Sequence, residues 1–512
     1  MSIMRPNSDT SGDQATLAAQ NVKMSDENRF KTPYFPLGYK TAAWQWWSNL
    51  SPAVTEHKVL SFVPFIQPLS SPTNPGPSKK TTEAFEINAL KDKYGPRVCY
   101  SDIVILSGKD RSLNEFSVER LGEKIEQNLV MLHGYGAGLG FFYKNFEGLS
   151  RVKGWKIYAL DMLGMGRSSR PPFKIHSKDQ AGRIREAENW FIDALEEWRV
   201  KKNLEKFTLL GHSMGGYLAV AYALKYPGHL NKLILASPVG IPENPYATHD
   251  DLQEPEKSAL TQEFTESQDE TTRSKNLNVS AERDKIEFRS QTSEELTMKK
   301  IDAPSQRRIP KWFSYLWDAN ISPFSVIRWT GPLGPRLVSG WSSRRFSHLP
   351  HDESEALHEY TYSLFRQRGS GEYALSHILA PGAFARDPII KRIHKVGRQE
   401  IHPKSADADS TPVPNKIQKE TGFPIIFMYG ENDWMDVAGG LAAEQKLKEE
   451  KTKILQTASE EERLRENGSS KVLIINNAGH HLYLDGWEDF NKILRVEMDE
   501  TLRRGRHELG LL

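Results

Sequence analysis

The stretch that decides the fold of this chain is Gly211-His212-Ser213-Met214-Gly215-Gly216. The apolar run before it, at 207–210, is typical of a buried strand, and residues 217–224 after it favour a helix. A strand, a sharp turn and a helix around Gly-x-Ser-x-Gly predict a nucleophile elbow, in which the turn holds Ser213 in a strained backbone conformation. Glycine neighbours are a steric requirement of that turn.

Composition sets the first limits. With 512 residues the chain is long enough for two domains, but α/β folds with large insertions also reach this length. We expect one catalytic domain diluted by polar segments, because only 38% of the residues are hydrophobic. A net charge of +2 argues against a nucleic-acid surface. Cys99 is the only cysteine, which excludes an intrachain disulfide and favours a reducing compartment.

Hydropathy and the start of the chain predict how the protein meets membranes. No run of about 18 apolar residues occurs, so no membrane-spanning helix is predicted. The start shows no secretory signal, and the presence of Asp9 and Asp13 makes it a poor match to an acid-poor mitochondrial presequence. We expect an intracellular protein that lies peripherally on membranes.

The pattern of polar and apolar segments divides the chain into four parts. Residues 1–82 are expected to hold a disordered lead, an aromatic segment and a linker. Residues 83–242 and 424–512 form the two halves of an α/β core, and residues 243–423 form a helical cap with an acidic, disordered insertion at 245–300. Periodicity predicts helices at 187–198 and 351–366, and strands at 84–90, 98–106, 129–133, 155–160, 207–210, 232–237, 424–429 and 471–475.

Two aromatic segments lie outside the expected core. Trp44-Gln45-Trp46-Trp47 is either a helix that packs on the catalytic domain or an anchor at a membrane interface, where tryptophan is favoured. The cap region 310–350 mixes aromatic residues with Arg328, Arg336, Arg344 and Arg345. A helical cap over the active site accounts for this mixture, and the arginines also suit lipid phosphate groups. Both roles stay open for the arginines.

A second glycine-rich loop follows the strand predicted at 129–133, and it reads His133-Gly134-Tyr135-Gly136-Ala137-Gly138. Its glycine spacing does not match a dinucleotide-binding fingerprint. A loop of small residues after a strand suits the second half of an oxyanion hole, because its backbone N–H groups can approach an acyl oxygen closely. We expect the N–H groups of Met214 and of Tyr135 or Gly136 to form that hole.

A carboxylate and a histidine follow the last two predicted strands. Asp433 is the expected third member of a catalytic triad, and Asp436 is its rival. His480 is the expected base, and His481 is its rival. The order Ser213, Asp433, His480 is the order that hydrolases with a nucleophile elbow require. Acyl transfer by such a triad needs no metal and no cofactor, and the sequence has no clustered His/Cys ligand set.

His480 and Asp485 also form the pattern His-x-x-x-x-Asp. This pattern is found in glycerolipid acyltransferases, where the histidine acts as a base on a lipid hydroxyl. A turn followed by a helix start would produce the same spacing without any acyl transfer to a lipid. The spacing alone therefore leaves hydrolase and acyltransferase open.

Four stretches together resemble a lipid-active group of α/β-hydrolases, namely 133–138, 211–217, 235–240 and 479–485. That group includes fungal mitochondrial cardiolipin-specific deacylases, a fungal lysophosphatidic acid acyltransferase and the mammalian N-acyl-phosphatidylethanolamine lipase. The resemblance implies an α/β-hydrolase fold with a mostly parallel sheet and a large helical cap inserted before the strand that leads to Asp433. It also implies a phospholipid acyl ester as substrate and a location at the mitochondrial inner membrane.

Three functions remain open at this point. The preferred one is a serine hydrolase that removes an acyl chain from cardiolipin or a related phospholipid, as in cardiolipin acyl-chain remodelling. The second is a coenzyme-A-dependent lysophospholipid acyltransferase that uses His480 and Asp485. The third is a non-catalytic lipid-surface adaptor that binds through residues 44–47 and the cap. All three predict a phospholipid membrane as partner and no nucleic acid, and only the second requires acyl-coenzyme A.

Overall fold

The computed structural model describes residues 35–66, 93–243, 320, 322–380, 384–401, 418–508 and 510. Several predicted features lie outside these residues. They are the strand at 84–90, the linker at 67–82, the acidic insertion at 245–300 and the aromatic residues at 312–317.

Ten strands occur in the described residues: β1 (Arg97–Ile105), β2 (Ser112–Arg120), β3 (Gln127–Leu132), β4 (Trp155–Leu160), β5 (Phe207–His212), β6 (Leu230–Ala236), β7 (Glu400–Ile401), β8 (Gln418–Lys419), β9 (Pro424–Gly430) and β10 (Ser469–Ile475). Eight of them form one sheet with the order β1-β2-β4-β3-β5-β6-β9-β10, and β7 pairs separately with β8. In the large sheet the β1–β2 and β2–β4 pairs are antiparallel and the other pairs are parallel. The mostly parallel sheet predicted from the sequence is therefore confirmed.

Strand β2 is absent from the strands predicted above, because its polar residues break the apolar pattern. Asn114 and Glu115 are buried in it. Glu115 accepts a hydrogen bond of 2.8 Å from the indole N–H of Trp198, and Asn114 donates one of 2.8 Å to Asp161. These partners offset the cost of burying polar groups, so the strand forms despite its composition.

The register of the parallel strands brings several loops to one edge of the sheet. Leu132 of β3 lies opposite Gly211 of β5, and Gly211 lies opposite Leu235 of β6. Leu235 in turn lies opposite Phe427 of β9. Because the strands run in the same direction, the loops that follow β3, β5, β6, β9 and β10 all leave from the same edge. This edge is where a site is expected in a parallel α/β sheet.

Fourteen α-helices occur in the described residues: α1 (Tyr39–Trp47), α2 (Pro52–Leu60), α3 (Tyr143–Leu149), α4 (Gln180–Lys201), α5 (Met214–Lys225), α6 (Pro323–Trp329), α7 (Gly334–Arg345), α8 (His351–Phe365), α9 (Leu375–Ile378), α10 (Ile389–Arg392), α11 (Val437–Thr457), α12 (Glu460–Arg465), α13 (Leu482–Asp485) and α14 (Trp487–Glu508). The helix predicted at 187–198 lies within α4, and the one predicted at 351–366 matches α8 to within one residue. Both predictions are confirmed.

Helices α6 to α10 lie between β6 and β9 in the chain and form the cap. The two helices that precede the core pack on this cap: α1 contacts α7 and the 3-10 helix Gly331–Leu333, and α2 contacts α8. Within the ranges described above, no helix has both the length and the apolar character needed to cross a bilayer.

Candidate active site

Ser213 stands on the turn between β5 and α5. Its backbone has φ 53° and ψ −117°, a strained conformation for a residue with a side chain. Two hydrogen bonds of 2.9 Å hold it there: its N–H donates to the carbonyl of Ala236, and its own carbonyl accepts from the N–H of Gly216. The nucleophile-elbow geometry predicted from the sequence is therefore present.

The glycines around Ser213 are required by close backbone approach. A Cβ atom at Gly211 would lie 2.3 Å from the carbonyl oxygen of Gly215. A Cβ atom at Gly215 would lie 2.7 Å from the carbonyl oxygen of His133. No side chain fits at either position, which confirms the steric reason given for the Gly-x-Ser-x-Gly pattern.

His480 and Asp433 form a buried pair at the same sheet edge. Nδ1 of His480 lies 3.1 Å from Oδ1 of Asp433, and both side chains are shielded from solvent. Asp433 is held by two further donors, the hydroxyl of Ser237 and the N–H of Met435 at 3.0 Å. A carboxylate in this position fixes the imidazole with its proton on Nδ1 and leaves Nε2 as the basic atom.

The rival residues have other partners. Asp436 is exposed and caps α11 by accepting the N–H of Ala438 at 2.9 Å. Nδ1 of His481 lies 3.0 Å from the hydroxyl of Tyr483. Burial lowers the pKa of His481 well below its usual range. The structure thus brings Asp433 and His480 together and directs Asp436 and His481 elsewhere.

The second ring nitrogen of His480, Nε2, is the atom that would act as the base. Nε2 of His480 is buried and makes no hydrogen bond to any described residue. The residue before the nucleophile supports the His480 backbone, because Nε2 of His212 lies 3.0 Å from the carbonyl oxygen of His480. That contact makes Nε2 the protonated nitrogen of His212, since a carbonyl can only accept. His480 is therefore held at both its side chain and its main chain.

The loop predicted as the second half of the oxyanion hole passes beside the elbow. A Cβ atom at Gly134 would lie 2.8 Å from Nδ1 of His212 and 3.1 Å from Cβ of Ser213. Met214 is the first residue of α5, where a backbone N–H has no acceptor within its own helix. Gly136 has a φ of 72°, which favours glycine. The predicted donors thus flank the serine.

Aromatic side chains of the cap cover this loop. The ring of Phe324, on α6, stacks on Tyr135 with centroids 5.1 Å apart and on Phe365 of α8 with centroids 4.3 Å apart. A Cβ atom at Gly136 would lie 3.1 Å from the Phe324 ring. The cap therefore touches the site directly, as expected for a lid that excludes water.

Asp485 does not pair with the side chain of His480. It forms a two-pronged ion pair with Arg345 of α7, at 2.9 and 3.1 Å, and lies 3.3 Å from Nε2 of His348. It also accepts the N–H of Gly479 at 3.3 Å. The His-x-x-x-x-Asp spacing therefore yields a contact between core and cap, while Nδ1 of His480 is bonded to Asp433.

Three of the four cap arginines that suited phosphate, Arg328, Arg336 and Arg345, are engaged within the protein. Arg328 forms an ion pair of 2.7 Å with Glu372. Arg336 donates to the carbonyl of Leu37 at 2.6 Å, and its guanidinium lies 4.1 Å from the Tyr39 ring centroid. Together with the Arg345 pair described above, these contacts argue against the phosphate-facing interpretation.

Two contributors to the site were not identified from the sequence. Ser237 has a positive φ of 45° at the end of β6 and donates its hydroxyl to Asp433. The ring of Trp434 packs on His480 with centroids 4.8 Å apart. Ser237 is the last residue of the strand predicted at 232–237, at the edge that carries Ser213 and His480, and that position was the available signal. Within the described ranges, no group of His, Cys, Asp and Glu is arranged to hold a metal ion.

The sheet is mostly parallel, and the cap is inserted in the chain before β9, the strand that leads to Asp433. This architecture defines an α/β protein of the hydrolase class. The chain belongs to the alpha/beta hydrolase fold family, whose model matches residues 127–486. The α/β-hydrolase fold predicted from the sequence is confirmed by this match.

Three relatives show which members are similar. A probable 1-acylglycerol-3-phosphate O-acyltransferase of Oryza sativa subsp. japonica is 32% identical over 67% of this chain. The match spans 64% of that protein's length, less than two thirds. The 1-acylglycerol-3-phosphate O-acyltransferase ABHD5 of Homo sapiens is 29% identical over 72% of this chain and 77% of its own. A (lyso)-N-acylphosphatidylethanolamine lipase of Bos taurus is 28% identical over 73% of this chain and 79% of its own. These relatives are named as two acyltransferases and a lipase that act on lipids, which confirms the resemblance to lipid-active members of the family.

Proposed function

We propose that this protein is a serine hydrolase that removes a fatty acyl chain from a membrane phospholipid. The observation that carries the proposal is the strained Ser213 at the end of β5 together with the buried His480–Asp433 pair at the same sheet edge. Strain at a serine is retained where it serves a function, and a buried carboxylate on Nδ1 prepares the histidine to act as a base.

The proposed reaction has two acyl-transfer steps. Nε2 of His480 takes the proton from Oγ of Ser213 as that oxygen attacks the acyl carbonyl, and Asp433 stabilises the imidazolium that forms. His480 then gives the proton to the departing lysolipid oxygen, which leaves an acyl ester on Ser213. Water, deprotonated by the same histidine, hydrolyses this ester to a free fatty acid.

The oxyanion of each step would be stabilised by backbone N–H groups of Met214 and of Tyr135 or Gly136. One such donor commonly contributes about 3 kcal/mol to the transition state. The aromatic cover from Phe324 and Phe365 would keep bulk water from these donors, and a dry site strengthens their effect.

An exposed aromatic surface supports a membrane as the partner. Trp44 and Trp47 on α1 are 61% and 80% exposed, and Trp329 at the end of α6 is 73% exposed. Leu333 lies between these helices, in the 3-10 helix that α1 contacts, and it is also exposed. Exposed tryptophans on neighbouring elements suit the interface between lipid head groups and acyl chains. The other side of α1, with Ala42 and Gln45, is buried, so both interpretations of the aromatic segment are compatible.

The second candidate is a lysophospholipid acyltransferase that takes its acyl group from acyl-coenzyme A. The rice and human relatives are both named as acyltransferases, which favours it. In that reaction His480 would deprotonate the hydroxyl of a lysolipid, the hydroxyl oxygen would attack the thioester, and coenzyme A would leave as the thiol. The ion pair of Asp485 with Arg345 argues against a direct role for Asp485 in that step. Cardiolipin as the substrate, a mitochondrial location and the adaptor role stay predictions.

Product analysis tests the proposal. Purified wild-type protein and Ser213→Ala are incubated with mixed phospholipid vesicles, with and without acyl-coenzyme A, and the lipids are identified by mass spectrometry. We expect free fatty acid and a lysolipid from the wild type alone, and the mass of the lysolipid identifies the head group. Product that forms only with acyl-coenzyme A would replace the hydrolase with the second candidate.

The membrane role has its own test. Replacing Trp44, Trp47 and Trp329 together by alanine should weaken binding to phospholipid vesicles about tenfold or more, since burying one large apolar side chain contributes roughly 1.5–3 kcal/mol. Hydrolysis of a short soluble ester should stay unchanged. The control is Leu464→Ala, which removes an exposed apolar side chain from α12. Equal loss of vesicle binding and soluble-ester hydrolysis would contradict the role of these tryptophans as a membrane surface.

A further inference from the structure

A buried polar network lies directly behind the loop of the oxyanion hole. Its acidic members are Asp161, at the end of β4, and Glu56, which comes from α2 and therefore from outside the core. Glu56 is 1% exposed. A carboxyl group brought so deep from a peripheral helix needs several partners to offset its loss of hydration.

The network holds the loop through two backbone N–H groups. The N–H of Leu139 donates to Oδ1 of Asp161 at 2.7 Å, and the N–H of Gly140 donates to the hydroxyl of Tyr360 at 3.3 Å. Leu139 and Gly140 begin the 3-10 helix that follows the glycine loop. Because N–H groups in a first helical turn have no partner within the helix, these two acceptors determine where that turn starts.

Glu56 is linked by hydrogen bonds to both acceptors, directly to Tyr360 and through Asn114 and Arg167 to Asp161. The hydroxyl of Tyr360 donates to Oε2 of Glu56 at 3.4 Å. The side-chain amide of Asn114 donates to Oε2 of Glu56 at 3.0 Å and to Oδ2 of Asp161 at 2.8 Å. Arg167 bridges the two acids as well: its guanidinium lies 2.5 Å from Oε1 of Glu56, and its backbone N–H donates to Asp161 at 2.7 Å. A change at Glu56 therefore reaches both contacts that hold the loop.

The loop packs directly against this network. A Cβ atom at Gly138 would lie 2.4 Å from the hydroxyl of Tyr360 and 3.2 Å from Oδ1 of Asp161. A Cβ atom at Gly140 would lie 2.8 Å from the Tyr360 ring. Backbone and acceptors are in direct contact, so an acceptor that shifts toward the loop displaces it, and one that shifts away loses the N–H it accepts.

The charges in the network are finely balanced. Burial, and then the neighbouring Asp161, raise the pKa of Glu56 to about 7, and Arg167 opposes that rise. Asn114, Tyr360 and Arg167 all donate to the carboxyl oxygens of Glu56, and the contact with Arg167 is also an ion pair.

We propose that Glu56 is a positioning residue for the oxyanion hole, through which helix α2, outside the core, sets the position of the loop at residues 134–140. The inference rests on the proposed function, since it assigns that loop the role of oxyanion donor. On this proposal, the segment before the core contributes to the geometry of the site. The segment before the core, which also carries the exposed tryptophans of α1, is thereby linked to the loop through Glu56 and its partners Tyr360 and Asn114.

The first test measures the loop itself and requires no activity. Hydrogen exchange followed by mass spectrometry on full-length protein reports the protection of amides at 134–142. In Glu56→Gln we expect faster exchange in this segment than in the wild type. The matched control is Thr55→Val. It removes a buried hydrogen bond of 2.8 Å between the hydroxyls of Thr55 on α2 and Ser363 on α8, the two helices that carry Glu56 and Tyr360, and leaves the network intact. Unchanged exchange in Glu56→Gln, or equal acceleration in Thr55→Val, would overturn the proposal.

The second test is kinetic and uses a short soluble ester. Glu56→Gln should lower kcat and kcat/KM together by about tenfold or more, because a small misplacement of a transition-state donor costs rate while ground-state binding is kept. Thr55→Val should stay near the wild type. A rise in KM at constant kcat would contradict a positioning role.

A double-mutant cycle covers the case in which Glu56→Gln loses stability. Tyr360→Phe removes the hydroxyl that accepts from Gly140, and its effect on kcat should be smaller in the Glu56→Gln background than alone. Additive losses would overturn the proposal. If wild-type protein shows no hydrolysis and Ser213 is not labelled by a fluorophosphonate, the proposed function fails, and hydrogen exchange still decides the structural role of Glu56.

Discussion

The two halves of the site are built differently. The proposed nucleophile Ser213, base His480 and carboxylate Asp433 stand on loops that leave the sheet edge after β5, β10 and β9. Ser237 and Met435, which donate to Asp433, also belong to the core. The oxyanion loop also leaves a core strand, but it is covered by Phe324 of the cap and held by Glu56 of a helix that precedes the core. The core thus supplies the chemical groups, and the peripheral helices determine how one half of the site is placed.

The halves also differ in how their charges are stabilised. Asp433 is surrounded by neutral donors together with His480. The peripheral half relies on ion pairs that join separate elements, such as Arg345 with Asp485 and Arg167 with Glu56. Breaking a core contact should therefore change the rate of the reaction, whereas breaking the Arg345–Asp485 pair should first change how firmly the cap is held.

The largest expected effect is in the core half. Asp433→Asn should lower kcat by about 10⁴-fold, because an amide no longer stabilises the imidazolium and favours the wrong tautomer of His480. The matched control is Asp436→Asn, since asparagine caps a helix as well as aspartate does. Steady-state hydrolysis of a soluble ester measures both. A large loss in Asp436→Asn with little loss in Asp433→Asn would reverse the assignment.

In the peripheral half, the Arg345–Asp485 pair should matter for stability. Arg345→Met leaves the mostly buried Asp485 without its ion pair and should destabilise the protein by about 3 kcal/mol. The double variant Arg345→Met/Asp485→Asn should recover part of that loss, because the unpaired charge is gone. Thermal unfolding provides the measurement, with Arg465→Met at an exposed ion pair as the control. Equal Tm values for Arg345→Met and Arg465→Met would show that the pair does not hold the cap.

The smallest effect concerns pH and His358, which connects α8 to α7 and α1. Nδ1 of His358 lies 2.8 Å from the hydroxyl of Ser342, and Nε2 lies 3.3 Å from Oε1 of Gln45. Burial lowers the pKa of His358 to about 4. Since a free imidazole has a pKa of about 6.5, the unfolded chain binds more protons between the two values. The stability from this histidine is complete above pH 6.5 and declines as the pH falls toward 4.

His358→Gln should therefore reduce the loss of stability between pH 7 and pH 5, by on the order of 1 kcal/mol. Urea unfolding at both pH values, for wild type and variant, isolates this contribution from those of other buried histidines. The same pH dependence in both proteins would show that His358 does not make the docking of α1 sensitive to acid.

The difference between the halves also explains what could be predicted from the sequence. Ser213, Asp433 and His480 follow apolar strands in the order of a hydrolase, so local pattern was enough to bring them together on one sheet edge. Strand β2 was not predicted, because Asn114 and Glu115 are buried polar residues whose partners are distant in sequence. Glu56 has no local pattern at all, since its partners lie 58 and 111 residues away. Contacts between segments that are distant in the chain leave no periodic pattern in the sequence.

The most direct test of the central claim is covalent labelling of the serine. Wild-type protein and Ser213→Ala are treated with an alkyl fluorophosphonate, and the intact masses and tryptic peptides are measured. We predict one adduct on the wild type, located in the peptide that contains Ser213, and none on the variant. Failure of the folded wild type to react, or an adduct that persists in Ser213→Ala, would contradict the claim that Ser213 is the nucleophile.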